Sequence, residues 1–137
     1  IDDCQDGDRD LIDDFLAILA KEQLDFTNSF RQLPSLLADG DGAASEAMQG
    51  WLSTWRQRVA DQDHEKLASK MNGCNPFFVP RNYQVIDVAQ KAVAGDISEL
   101  QKFLKLIKEP YLESKEAAKY IKVADQSQSQ LQTFCGT

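Results

Sequence analysis

The sequence predicts an all-α protein, an irregular bundle of five to six helices followed by a polar C-terminal tail. Apolar residues recur at three- and four-residue steps in almost every segment between Asp10 and Val123. No segment alternates apolar and polar residues over the length that a half-buried strand requires. Gly- and Pro-containing stretches separate the periodic segments, as turns between helices do.

The first periodic segment runs from Asp10 to Leu33. Ile12, Phe15, Leu16, Leu19, Phe26, Phe30 and Leu33 form its stripe, and Asp13, Asp14, Lys21, Glu22, Asp25 and Arg31 lie between them, so one long amphipathic helix is expected. Pro34 ends it or starts a new turn, and "ADGDGAAS" (38–45) is a Gly- and Asp-rich loop. Met48, Trp51, Leu52, Trp55 and Val59 make a second stripe, with Arg56 and Arg58 on its flank. A short helix from about Glu65 to Met71 is predicted to close at Asn72 and Gly73, residue types suited to a left-handed C-cap. Val85, Ile86, Ala89 and Val93 form a third stripe that stops at Gly95. Asp96 and Glu99 then resemble a capping box ahead of Leu100, Phe103, Leu104 and Ile107, and Pro110 breaks that pattern. A last short helix is placed at about Ser114–Val123. Residues 125–137, alternating Gln and Ser, read as a tail that needs another surface to order it.

With 137 residues the chain has the size of one ordinary domain, expected here over 1–124 with the tail at 125–137. A net charge of −7 argues against a nucleic-acid surface, which needs a field of Lys and Arg. No apolar run approaches a membrane span, and the acidic start "IDDCQDGDRD" is unlike a signal peptide. A start at Ile1 rather than Met is expected of a piece of something longer. Cys4, Cys74 and Cys135 are unevenly spaced and form no C-x-x-C pair, so reduced thiols in a cytoplasmic protein are expected rather than zinc.

Most of the apparent chemistry dissolves on inspection. The loop Asp39–Gly42 begins like a calcium loop, but Ala43 and Gly50 stand where ligands are required. Gly40 and Gly42 are not followed by the third glycine of a dinucleotide loop. Asp61, Asp63, His64 and Glu65 gather the only histidine among carboxylates, yet a charged run at a helix start is ordinarily a solvated face using the helix dipole. Trp51 and Trp55, one turn apart, are expected in the core. One segment is harder to dismiss. In "CNPFFVPRNYQV" (74–85), Pro76 and Pro80 hold the backbone out of helix and present Phe77, Phe78 and Val79 on a stiff loop. Asn82 can cap the next helix, and Arg81 can offer a planar fork to a carboxylate or to helix-end carbonyls. The two phenylalanines either fill the protein's own core or form a docking patch.

"MNGCNPFFVPRNYQV" (71–85) resembles the Met-Asn-x-x-Asn-Pro-x-x-x-x-Arg-Asn-Tyr pattern of the selenoprotein O family, also called YdiU. "GDISELQKFLKLIKEPY" (95–111) is similar to its Gly-Asp, Glu-Leu, Leu-Leu and Pro-Tyr pattern, and "WLSTWRQRV" and "LDFTNSFRQL" resemble upstream helices. The resemblance covers essentially the whole chain. Many members end in Cys-x-Ser-Ser or a selenocysteine equivalent; here Cys135 matches that cysteine within "FCGT".

The resemblance implies a kinase-like parent that transfers AMP from ATP, with Mg or Mn, to Ser, Thr or Tyr of protein substrates. This chain would be its helical C-terminal region. No glycine-rich cover, phosphate lysine or metal-binding Asp and Asn set is found here, so no catalytic residue, metal site or cofactor is expected in the fragment itself. Its expected partner is the N-terminal kinase-like domain, with Asn75, Pro76, Phe77, Phe78, Arg81 and Asn82 as family signature and docking candidates, and Cys135 as a redox candidate. Two other classes remain open, an autonomous helical protein-interaction module and an acidic metal-binding bundle.

Overall fold

A computed structural model describes residues 5–37 and 44–121, and over these residues the chain is all-helical, with six α-helices and no strand. The loop at 38–43, Cys4, Cys135 and the tail from Asp125 lie outside the described residues. The chain divides into two compact units, 1–75 and 76–137, a boundary inside the single domain expected over 1–124.

The N-terminal unit contains α1 (Asp8–Lys21), α2 (Phe26–Gln32), a 3-10 turn (Leu33–Leu36), α3 (Glu46–Arg58) and α4 (His64–Cys74). The long helix expected over Asp10–Leu33 is therefore broken. Gln23 adopts a left-handed backbone (φ 53°), its N–H reaches Ala20 O at 3.4 Å, and Leu24 N–H reaches Leu19 O at 2.9 Å. This pair of bonds is a Schellman closure, and Asp25 restarts the chain as an N-cap by accepting from Asn28 N–H at 2.9 Å. The buried face of α1 is Leu11, Phe15 and Leu19; Ile12 and Leu16 of the expected stripe are exposed. Ser45 and Asp63 cap α3 and α4 in the same way as Asp25 caps α2.

Eleven hydrophobic side chains form one buried cluster here, among them Phe15, Leu33, Met48, Trp51, Leu52, Trp55 and Val59. The tryptophans are core residues, as expected. Trp51 stacks on Phe15 at 4.3 Å between centroids and donates its indole N–H to Leu11 O at 2.7 Å, so the one polar atom of the ring is satisfied where it is buried. Asp8 is buried at the start of α1, and Arg58 grips it with Nε to Oδ1 at 2.6 Å and Nη2 to Oδ2 at 3.0 Å. That hydrogen bond to Arg58, and then one from Gln5 N–H, hold the Asp8 carboxyl below its ordinary range.

The C-terminal unit contains α5 (Asn82–Val93), α6 (Ser98–Lys108) and a 3-10 turn (Ala117–Lys119). Gly95 (φ 101°) closes α5 by the same Schellman pattern, with Gly95 N–H to Ala92 O and Asp96 N–H to Lys91 O, each 3.0 Å. The expected capping box at Asp96 and Glu99 is not formed. Asp96 instead accepts from Ser98 N–H at 3.0 Å, because its own N–H is already committed to closing α5. Of the helix expected over Ser114–Val123, the described residues to Ile121 contain only the 3-10 turn, which Ser114 caps by accepting from Ala117 N–H at 3.0 Å, and the last two positions lie outside the described residues.

Candidate functional site

The segment singled out by sequence begins where α4 ends. That helix runs through Asn72 and Gly73 to Cys74, with neither of the two in a left-handed conformation. It stops because Asn75 precedes Pro76, and a residue before proline is driven from helical to extended backbone; Asn75 has φ −100° and ψ 112°. Arg31 Nη1 donates to the carbonyls of Asn72 at 2.8 Å and Asn75 at 2.9 Å, and Asn75 Nδ2 donates back to Phe30 O at 3.3 Å. Within the N-terminal unit, Arg31 thus holds the carbonyls at the end of α4. Sequence reasoning missed Arg31. A basic residue on an amphipathic helix carries no local sign of a partner 41 to 44 positions away.

In the C-terminal unit Phe77 and Phe78 are fixed by their backbones first. Both N–H groups converge on Pro110 O, at 2.8 and 2.9 Å, using both lone pairs of one carbonyl. The Asn-Pro segment and the Pro-Tyr segment that carry the family resemblance therefore meet in space. The Phe78 ring is 1 % exposed and stands edge-on to Phe103 (5.4 Å) and Tyr120 (5.9 Å), which meet each other at 5.5 Å. Phe78 accordingly fills the core of its own unit, while Phe77 is partly buried against that cluster.

Asn82 is the first residue of α5, not its cap; the N-cap is Arg81. The helix start is instead organised from inside by Gln84, which is buried. Its Oε1 accepts from Arg81 N–H at 3.1 Å, and its Nε2 donates to Tyr120 O at 2.7 Å and Tyr83 Oη at 3.1 Å. A buried amide of this kind is tolerated because all these hydrogen-bonding positions are used. Tyr120 in turn donates its hydroxyl to Glu99 Oε2 at 3.1 Å, and Lys102 Nζ donates to Glu99 Oε1 at 2.8 Å. Lys102 chiefly, and Tyr120 next, pull the Glu99 carboxyl below its ordinary range; burial, then Glu99, raise the Tyr120 phenol.

These contacts are keying and packing contacts. A nucleotide triphosphate with its divalent ion needs a backbone N–H cradle, a phosphate lysine and metal-binding oxygens. Among the described residues no group of three or more His, Cys, Asp or Glu is placed to hold a metal. The Asp63–His64–Glu65 run is the solvated helix start expected, with Asp63 accepting from Lys66 N–H at 3.1 Å. An open groove of about 280 Å³ between Lys102, Lys105, Leu106, Glu109, Leu112, Ser114 and Glu116 mixes both charge signs and carries no reactive set. Cys74 is an exposed thiol at the end of α4. No helix of the described residues is long and apolar enough to cross a membrane.

Known proteins place the chain. It is 36 % identical over 143 residues to the protein nucleotidyltransferase YdiU of Rhodopseudomonas palustris and 39 % identical over 145 residues to that of Bradyrhizobium diazoefficiens, each match covering 97 % of this chain and 29 % of the relative. The protein of the same name from Clostridium botulinum is 37 % identical over 134 residues, covering 95 % of this chain and 27 % of the relative. The chain thus spans less than a third of the length of the curated relatives it matches. No family model and no solved structure gives a significant match.

Proposed function

From the premise that this chain belongs to the YdiU family, as a C-terminal region of its members, we propose that it is the helical structural and regulatory part of a protein adenylyltransferase. The carrying observation is the match to proteins named as nucleotidyltransferases over 97 % of the chain. In this reading the parent moves AMP from ATP, with Mg or Mn, to Ser, Thr or Tyr hydroxyls of protein substrates in the cytoplasm, and the nucleotide site lies in its kinase-like domain. The residues described above supply shape: the Pro110 carbonyl and the Phe78, Phe103 and Tyr120 rings fix the signature segment, and Arg31 fixes the end of α4.

Two experiments test this reading. The purified 137-residue chain, given labelled ATP, Mg or Mn and candidate acceptor proteins, is expected to incorporate no AMP, whereas the full-length parent incorporates it. Incorporation by the fragment, or none by the parent, overturns the assignment. Cys135 is proposed as a redox switch of the parent, on its match to the cysteine near the end of the family pattern and the capacity of a thiol for exchange chemistry. Cys135→Ser in the parent is then expected to abolish an oxidation-dependent mobility shift on non-reducing gels, and an unchanged shift rejects the switch.

A further inference from the structure

The C-terminal unit hides few apolar side chains of its own. Among its described residues Phe78, Val88, Phe103 and Ala117 are the buried hydrophobic ones, while seven of the eleven exposed large hydrophobic residues among those described lie between Val85 and Leu112. The sequence marks Val85, Ile86, Ala89 and Val93 as an apolar stripe of α5, yet the buried residues are Gln84 and Val88, with Ile86 half-buried. On α6 only Phe103 is buried; Leu104 and Ile107 are exposed. The two rows meet at the Gly95 turn, where Val93 is 90 % exposed and Ile97 54 %. Four buried hydrophobic side chains among its described residues give this unit only a small margin of stability. An amphipathic hairpin that turns its apolar rows outward is built to be covered.

What covers it has to be present whenever the unit is. More than two thirds of each relative's length lies outside the segment that this chain matches, and a surface tethered through the same backbone acts at an effective concentration of about millimolar. We propose that Val85, Val93, Ile97, Leu104 and Ile107 form the seat on which the remaining polypeptide of the parent packs. This rests on the reading of the chain as one region of a longer YdiU protein. It moves the docking function from Phe78, which the unit's own core uses, to the outer face of α5 and α6.

Single cysteines at Val93→Cys and Ile107→Cys test the seat, with Val85→Cys as a further position should either variant lose its helical circular dichroism and Lys115→Cys as an exposed control. Alkylation by iodoacetamide is followed peptide by peptide in the isolated chain and in the full-length parent. At the seat positions the rate is expected to fall at least about tenfold in the parent, and at Lys115→Cys to stay within about twofold. Equal rates in both proteins overturn the proposal, whether fast because the face is bare in the parent or slow because the isolated chain covers it. A slow rate in the parent that recovers on dilution also overturns it, since a second copy is then the cover. AMP transfer by the same parent samples is scored separately: slowed alkylation without transfer leaves the seat standing and removes the enzymatic reading, and transfer with unslowed alkylation does the reverse.

Discussion

The described residues of the N-terminal unit, 5–37 and 44–75, and of the C-terminal unit, 76–121, are both helical, but the two are held together differently. The first unit buries eleven hydrophobic side chains in one cluster and opens three helices with Asp or Ser caps; the second buries four and opens its helices at Arg81 and Ile97 without such a cap. By sequence, residues 1–75 carry seven basic and fifteen acidic residues, a net of −8, and residues 76–137 eight and seven, a net of +1. All the excess acidity of the chain thus sits on the unit with the larger core. In the second unit, specific polar keys do much of the ordering: one carbonyl for two N–H groups, and one buried amide for three partners. Keys of this kind fix geometry more than they add stability, because each exchanges a bond to water for a bond to protein.

Truncation of each core separates the two cases. Phe78→Ala removes one of four buried side chains at a cost of about 3 to 5 kcal/mol, comparable with all the stability so small a unit can hold. Leu52→Ala removes one of eleven at about 2 to 5 kcal/mol and leaves a reduced but continuous cluster. Both tryptophans lie in the first unit and all three tyrosines in the second, so optical probes report on each separately. Leu52→Ala is expected to shift the tryptophan-monitored urea midpoint downward with a cooperative transition retained, and Phe78→Ala to abolish the tyrosine near-ultraviolet circular dichroism without denaturant. A cooperative tyrosine transition surviving Phe78→Ala would break the comparison.

A smaller change probes polar keying in the better-packed unit. Arg31→Ala deletes both bonds to the carbonyls of Asn72 and Asn75 and is expected to cost about 2 kcal/mol by the tryptophan-monitored midpoint. An unmoved midpoint would show that water replaces the guanidinium there without loss, leaving the hydrophobic cluster as the dominant support of α4.

The fold class was legible because periodicity survives whichever way a helix faces. Facing was not. Ile12 and Leu16 fit the α1 stripe as well as Leu11 does, and only the position of the Trp51 ring and its bond to Leu11 O decides between them. On α5 the pattern selects Val85, Ile86, Ala89 and Val93, whereas the buried residues are Gln84 and Val88, and the Gln84 amide is satisfied by groups as far away as Tyr120 and so carries no local signal. The signature around Asn75 to Asn82 stood out through its prolines, and the structure keeps that segment out of helix as they require. Its true anchors, Pro110 O and Arg31, are long-range and could be named only once the chain was folded.

The two helix breaks make the narrowest comparison. Both α1 and α5 end in a Schellman closure, yet Gly95 announces the second in the sequence while Gln23 conceals the first, so the long helix expected over Asp10–Leu33 was never divided there. The left-handed backbone costs a residue with a Cβ about 1 kcal/mol that glycine does not incur. A Cβ built at Gly95 meets no atom within 4 Å, so Gly95→Ala is expected to destabilise by about 1 kcal/mol through backbone strain alone. Gln23→Gly should act in the opposite sense and stabilise by at most about 0.5 kcal/mol, most of the strain relieved being offset by the greater freedom of glycine in the unfolded chain. Urea midpoints followed by tyrosine for Gly95→Ala and by tryptophan for Gln23→Gly measure each in its own unit. If Gln23→Gly destabilises instead, the glutamine side chain contributes more than its backbone costs, and the break between α1 and α2 is held by contacts rather than by turn geometry.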